Sequence, residues 1–143
     1  MKDQKGITLI ALVITIIVLL ILAGITIAML TGPNGILSKA SESSVQNAFG
    51  AAKDKVAILA ADKVADYYKT VYVNTGSSTP YSDDTLDGLF ETAITTETVA
   101  VDGITVGWSI EGSGTIKNKI TLTYTKTGET KTGTLSKGAI KWD

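Results

Sequence analysis

Three residue types that carry much of protein chemistry are missing from this chain of 143 residues, which has no cysteine, no histidine and no arginine. These absences exclude disulfides, thiolate nucleophiles, Ser-His-Asp triads and metal sites built on Cys or His. The remaining charges nearly cancel, with 13 lysines against 14 acids, which argues against a dedicated nucleic-acid-binding protein. Because no nucleophile elbow or phosphate-binding loop appears either, the sequence predicts a protein that is not an enzyme and uses no cofactor.

Charge is also missing from one long stretch, because no charged residue lies between Lys5 and Lys39. The 24 residues from Ile7 to Leu30 read ITLIALVITIIVLLILAGITIAML. As a helix they would span about 36 Å, enough to cross a hydrocarbon core of about 30 Å. The run therefore predicts a transmembrane helix. A secretory signal peptide is the alternative, but its apolar region is shorter, roughly 7–15 residues. Lysines at 2 and 5 favour a cytoplasmic N-terminus and an outer domain beyond the membrane.

The segment Lys5-Gly6-Ile7-Thr8-Leu9-Ile10, followed by an unbroken apolar helix, resembles the class III signal of bacterial type IV pilins and pseudopilins. The resemblance implies that residues 1–6 are a leader, that a prepilin peptidase cuts between Gly6 and Ile7, and that Ile7 is then methylated. It also implies a single-pass prepilin in the cytoplasmic membrane, whose helix later packs in the core of an extracellular filament. An assembly ATPase and a platform protein would drive that exchange. The positions assigned to this membrane and filament-core role are Leu9, Ile10, Ala11, Val13, Ile14, Ile17, Leu20, Ile21 and Gly24.

One position departs from the pattern of that family, which usually has Glu at the fifth mature residue, where it is thought to pair with the N-terminal amine of a neighbouring subunit. Counted from Ile7, this position is Ala11. A buried amine without an acid is costly in lipid. The amine could reach the membrane interface, another subunit could supply the acid, the chain could be a minor subunit, or the leader could stay on. In its lack of cysteine, the chain resembles the cysteine-free pilins that are common in Gram-positive anaerobes.

The segment after the apolar run, Thr31-Gly32-Pro33-Asn34-Gly35, predicts a helix break over 31–35. Proline lacks the N–H that a helix needs, and Gly32 and Gly35 loosen the backbone. Beyond it, apolar residues at helical spacing predict an amphipathic helix over 36–73. We expect its apolar stripe to cover the chain's own sheet, with a coiled-coil partner as the alternative. The stripe consists of Val45, Phe49, Ala52, Val56, Leu59 and Lys63.

A loop is expected over 74–82, followed by a short helix over 83–94 that Ser82 caps. The acidic start of this helix is also compatible with a calcium loop, since Asp83, Thr85, Asp87 and Gly88 match positions of the EF-hand pattern. The last position of that pattern requires Glu, and the chain has Ile94 there. We therefore interpret the segment as a helix start without a metal site.

From Thr98 onward the apolar residues alternate with polar ones, which predicts an antiparallel meander of about four strands over 98–142. Its first turn is expected at Asp102-Gly103, between Val99–Val101 and Ile104–Val106, as a two-residue hairpin. The predicted fold is α+β, with a long N-terminal helix whose amphipathic half packs on this sheet. Residues 36–143 would form the extracellular pilin-like domain, and residues 7–30 the membrane and filament-core helix.

The lysines of the outer domain concentrate at its end, since residues 117–143 contain six lysines and residues 71–116 contain none. We interpret them as edge-strand charges that discourage unwanted strand pairing, with a contact between filament subunits or a DNA contact as alternatives. The sequence thus predicts a structural subunit of a type IV pilus or pilus-like filament, which self-associates through its N-terminal helix. The alternatives are a minor pilin or pseudopilin of a type II secretion or DNA-uptake machine, and a monomeric membrane-anchored surface domain.

Overall fold

The computed structural model describes residues 2–75, 83–136 and 138–143, which form two compact units, 1–44 and 45–143. The described elements are α1 (Lys2–Thr31), α2 (Ile36–Thr75), α3 (Asp83–Ala93), α4 (Thr96–Val99), β1 (Ile104–Ile110), β2 (Lys117–Tyr124), β3 (Thr130–Ser136) and β4 (Ala139–Trp142). The predicted α+β fold with a long N-terminal helix and a four-stranded antiparallel sheet is confirmed. Most of the predicted loop 74–82, including Ser82, lies outside the described residues.

The sheet has the strand order β1-β2-β3-β4, so each strand pairs with the next one along the chain. The register places Ile104 opposite Tyr124 and Trp108 opposite Ile120, while Gly133 pairs with both Ile120 and Trp142. Because side chains alternate between faces, this register collects the apolar residues of all four strands on one side. The other side carries mostly threonine, serine and lysine.

The apolar side of the sheet is covered by α2. Val45, Phe49, Ala52, Val56 and Ala60 are buried, with exposed fractions of 0–6%, at steps of four, three, four and four residues. Together with the apolar residues of the sheet they form one core cluster. The ring of Phe49 lies 6.4 Å from the ring of Tyr124, centroid to centroid. The predicted stripe on α2 is therefore confirmed as a core face, although Leu59 and Lys63 at its end are only half-buried.

A second side of the core is closed by Leu86 and Phe90 of α3 and by Ile94, which directly follows the helix; each has no exposed surface. The indole N–H of Trp108 donates to the backbone carbonyl of Ile94 at 3.0 Å. This bond attaches the end of α3 to the first strand. The helix ends at Ala93, one residue before the predicted end.

The hairpin predicted around Asp102-Gly103 is wrong, and the sheet begins at Ile104 rather than at Thr98. Residues Thr96–Val99 form α4 instead, because Thr95 and Thr98 make a reciprocal capping box. In it, the Thr95 N–H donates to Thr98 Oγ1 at 2.8 Å, and the Thr98 N–H donates to Thr95 Oγ1 at 3.3 Å. The turn signal itself was correct: Gly103, at φ +78°, connects α4 to β1.

Truncating Phe49 tests the core that α2 builds. We expect Phe49→Ala to lower the free energy of unfolding by about 3–5 kcal/mol, because it removes a large buried ring from a packed core. On the same helix Ile58 is 65% exposed, and Ile58→Ala should change the stability by no more than about 0.5 kcal/mol. Denaturant unfolding of the protein in detergent, followed by circular dichroism, measures both. Equal losses in the two variants would contradict this core.

Candidate functional site: the N-terminal apolar helix

The membrane and filament-core positions predicted from the sequence all lie on α1. Every side chain over residues 4–31 is exposed. Seventeen large apolar side chains between Ile7 and Leu30 have exposed fractions of 47–69%. A helix that is apolar on all sides is normally buried, either in a large core or in a membrane. For α1, the described residues provide no such cover.

The predicted processing site lies inside this helix. Since α1 begins at Lys2, Gly6 and Ile7 occupy its early turns, and both are exposed. A methyl group added at Gly6 would meet no heavy atom within 4 Å outside its own helix turn. The backbone around this bond is therefore not covered by other parts of the described chain, and access to it depends on local unwinding of α1.

The threonine hydroxyl groups of α1 are satisfied within the helix. The hydroxyl groups of its threonines donate to carbonyl oxygens four residues earlier: Thr8 to Gln4 at 2.6 Å, Thr26 to Leu22 at 2.7 Å and Thr31 to Ile27 at 2.9 Å. Thr15 bonds Ala11 in the same way. Because no hydroxyl is left without a partner, the helix can lie in hydrocarbon without the cost of an unpaired polar group.

Length and composition also suit a bilayer. Among the described residues, the helical stretch Gln4–Thr70 contains a segment that is long and apolar enough to cross a membrane, and none of that segment is buried. The 24 residues from Ile7 to Leu30 correspond to about 36 Å of helix. The hydrocarbon core of a bilayer measures about 30 Å.

A four-residue turn, 32–35, separates α1 from α2. The Gly35 N–H donates to the Gly32 carbonyl at 2.8 Å, and the Lys39 N–H donates to the Gly35 carbonyl at 3.0 Å. Gly35 is buried, and a Cβ there would lie 2.6–2.9 Å from the carbonyl oxygens of Leu30, Met29 and Gly32. The sequence indicated a loosened backbone at Gly35, whereas the structure shows a position with no room for a side chain.

At Gly32, a Cβ would lie 2.6 Å from the carbonyl oxygen of Ala28. The neighbouring Pro33 is exposed and has no N–H to donate. Both glycines of the predicted break therefore allow a close approach of backbone atoms. Neither of them has a positive φ.

The acidic segment considered as a calcium loop is only partly described. Of its residues, Asp87 is 7% exposed on α3, while the side chains of Asp83 and Thr85 are outside the described part. In the described ranges, no group of three or more carboxylates is placed to hold a metal ion.

Residues 1–27 match the family model for the prokaryotic N-terminal methylation motif. This motif is the class III prepilin signal of type IV pilins, as the resemblance of Lys5–Ile10 suggested. The match supports the interpretation that the chain is a member of the type IV pilin and pseudopilin class. It covers the predicted leader, residues 1–6, and most of α1. Neither a curated protein nor a solved structure matches the chain.

Adding a methyl group in the turn tests its tight backbone packing. We expect Gly35→Ala to force the turn apart, because three carbonyl oxygens occupy the space that the methyl group needs. Hydrogen exchange of the amides of residues 35 and 39, measured by NMR in detergent micelles, should become at least about tenfold faster as their hydrogen bonds break. The matched control is Gly24→Ala on α1, where nothing lies within 4 Å. Unchanged exchange in Gly35→Ala would contradict the packing described here.

Proposed function

We propose that this chain is a structural subunit of an extracellular type IV pilus or pilus-like helical filament, assembled through α1. The observation that carries the proposal is the coincidence of two features in one segment. Residues 1–27 match the prepilin methylation motif, and the helix that begins there exposes apolar side chains on all sides from Ile7 to Leu30.

In this function, α1 exchanges one apolar environment for another. Lipid first covers the helix, and the same helix of neighbouring subunits covers it in the filament. Fully burying a Leu, Ile or Val side chain is worth about 1.5–3 kcal/mol relative to water. The seventeen exposed apolar side chains of α1 therefore cannot be left in water at any stage. Transfer must be direct, which supports an assembly platform and an ATPase as partners.

Processing by a prepilin peptidase belongs to the same proposal. Cleavage between Gly6 and Ile7 would remove Lys2 and Lys5, the charges nearest to the apolar run at its N-terminal side. The helix, which would then carry only the charge of its new N-terminal amine, could leave the membrane without drawing lysine side chains through hydrocarbon, which is costly. Before assembly the chain would lie in the cytoplasmic membrane, and afterwards on the cell surface.

A second candidate function, that of a minor pilin or pseudopilin in a secretion or DNA-uptake machine, is favoured by Ala11. The family resemblance implies an acid at this position, and the described part of α1 contains no carboxylate between Gly6 and Thr31. A subunit whose N-terminal amine lacks its own acid could occupy a position where a different subunit supplies one. The abundance of the chain in purified filaments separates the two functions.

Mass spectrometry of filaments sheared from intact cells tests the proposal. We expect the recovered chain to begin with N-methylated Ile7 and to be the major component. A minor subunit would give the same N-terminus at low abundance. Recovery of the chain only from membranes, with residues 1–6 attached, would overturn the filament function and support a monomeric membrane-anchored domain.

A charged residue on α1 tests whether the helix packs in the filament core. We expect Ile16→Asp to abolish filaments, because an aspartate at the centre of an apolar helix costs about 2.5–3.5 kcal/mol in lipid and has no partner among neighbouring helices. Ile16→Val keeps the apolar surface and should assemble normally. Electron microscopy and immunoblotting of the sheared fraction measure assembly, with membrane insertion of both variants checked by fractionation. Normal filaments from Ile16→Asp would refute this packing.

A further inference from the structure

The sheet has two edges with open backbone groups. β1 and β4 are its outer strands. In an antiparallel ladder, successive residues direct their N–H and C=O groups alternately toward the paired strand and away from it. The Val106 N–H points away from β2, since it donates to Thr96 Oγ1 at 2.9 Å. By this alternation the backbone of Trp108 also points away from β2, beyond the part of the edge that Thr96 covers. The register shifts between Ser109 and Ile110, where the extra residue, Asn118, lies on β2. The alternation along β1 continues through this shift, since the Glu111 N–H faces β2 and donates to Asn118 Oδ1 at 3.0 Å, so the backbone of Ile110 points away from β2 as well.

The opposite edge has the same arrangement. The Asp143 N–H donates to the Thr132 carbonyl at 3.0 Å, so Asp143 faces β3. The backbones of Ile140 and Trp142 therefore point away from β3. Each edge thus presents two residues, spaced by two, whose N–H and C=O groups have no backbone partner among the described residues.

We infer that β1 of one copy of this chain pairs with β4 of the next copy, which joins their sheets edge to edge. The inference rests on the proposed filament function, because it names the contact between the sheet domains of neighbouring subunits. β1 and β4 run in opposite directions, since three antiparallel pairings separate them. A second copy set beside the first in the same orientation therefore brings β4 antiparallel to β1.

One register matches the open groups on both edges. It places Trp108 opposite Trp142 and Ile110 opposite Ile140 of the next copy, so that both pairs exchange backbone hydrogen bonds. All four side chains lie on the apolar face of the sheet: Ile110 is 45% exposed, and the other three are partly buried against the core. Aromatic and β-branched side chains opposite each other each stabilise a strand pair by about 0.2–1 kcal/mol.

Charge on the other face fits the same register. There Ser109 lies opposite Lys141 of the next copy, and Glu111 is diagonal to that lysine, within reach of a long side chain. Both Glu111 and Lys141 are exposed. Neither has an ion-pair partner in the described part of the chain, where the lysines of the pairs are Lys39, Lys63, Lys117 and Lys131.

The spacing of the copies leaves room for α2, which covers the apolar face of each sheet. Four strands at a spacing of about 4.8 Å set neighbouring copies about 19 Å apart. An α-helix with its side chains is about 10–12 Å wide, so the α2 helices of adjacent copies do not collide. The contact joins two different surfaces, β1 and β4, and therefore leaves one of each free at the ends, so that it can propagate along a filament.

A disulfide between copies tests the contact, and the absence of cysteine from the natural chain makes the test clean. In the inferred register, residues 109 and 141 of adjacent copies form a non-hydrogen-bonded pair, with Cα atoms about 4.5 Å apart. Within one chain they are separated by three strand spacings, about 14 Å, which is too far for a disulfide. We expect filaments of S109C/K141C, mildly oxidised, to give a reducible ladder of dimers, trimers and longer species.

The matched control is S109C/A139C, which shifts the register by two residues and places the Cα atoms about 7–8 Å apart. It and the two single variants should remain monomeric under denaturing electrophoresis, and circular dichroism verifies that all variants fold. Filaments of S109C/K141C that yield only monomers would overturn the edge contact and leave the proposed function standing. An equal ladder from the control would also overturn it, as random collision. If the unsubstituted chain forms no filaments, the proposed function falls and the contact with it.

Discussion

The rest of the molecule depends on one constraint, an apolar helix that the described part of the chain leaves exposed. Seventeen large apolar side chains of α1 are about half-exposed or more, and water is the one environment in which such a surface is not stable. In the proposed function, lipid and then other copies of the helix supply the cover. The charge-free stretch between Lys5 and Lys39 and the internally bonded threonines follow from the same requirement, because either environment penalises unpaired polar groups.

The sheet also has an apolar face that needs cover, and here the chain supplies it. The four strands present apolar residues on one face, and α2 presents a stripe at matching spacing, so each element buries what the other exposes. Small and large residues alternate along the buried stripe, since Ala52 and Ala60 each follow a larger residue, Phe49 and Val56, and all four are at most 6% exposed. Since no cysteine is present, non-covalent contacts hold this domain together, among them the ion pair between Lys117 on β2 and Glu91 on α3 at 2.7 Å.

The two edges of the sheet are treated differently by the fold. Thr96 covers β1 at Val106 with a hydroxyl acceptor, whereas Trp108 and Ile110 beyond it keep open backbone groups. On β4, Ile140 and Trp142 do the same. Open edges usually promote aggregation, and short strands and lysines restrain it. In a protein that assembles, a short matched pair of edges is suited to one register and to a neighbour held in one orientation.

Sequence patterns alone were sufficient for the elements with strong periodicity. The uninterrupted run from Ile7 to Leu30 indicated a membrane-length helix, and the residues around Gly6 indicated a prepilin signal, because both depend on local composition and order. The stripe from Val45 to Val56 predicted the covered face of α2, and the alternation after Ile104 predicted the strands. These features need no knowledge of distant contacts.

Tertiary structure decided the parts where local signals compete. Val99–Val101 has strand-forming residues, yet the reciprocal bonds of Thr95 and Thr98 and the burial of Val99 favour a helical turn there. At Gly35 the sequence indicated only a flexible residue, while three carbonyl oxygens from α1 and the turn leave no space for a side chain. The open edges of β1 and β4 also became visible only in the folded sheet, because strand order and hydrogen-bond direction depend on long-range pairing rather than on residue type.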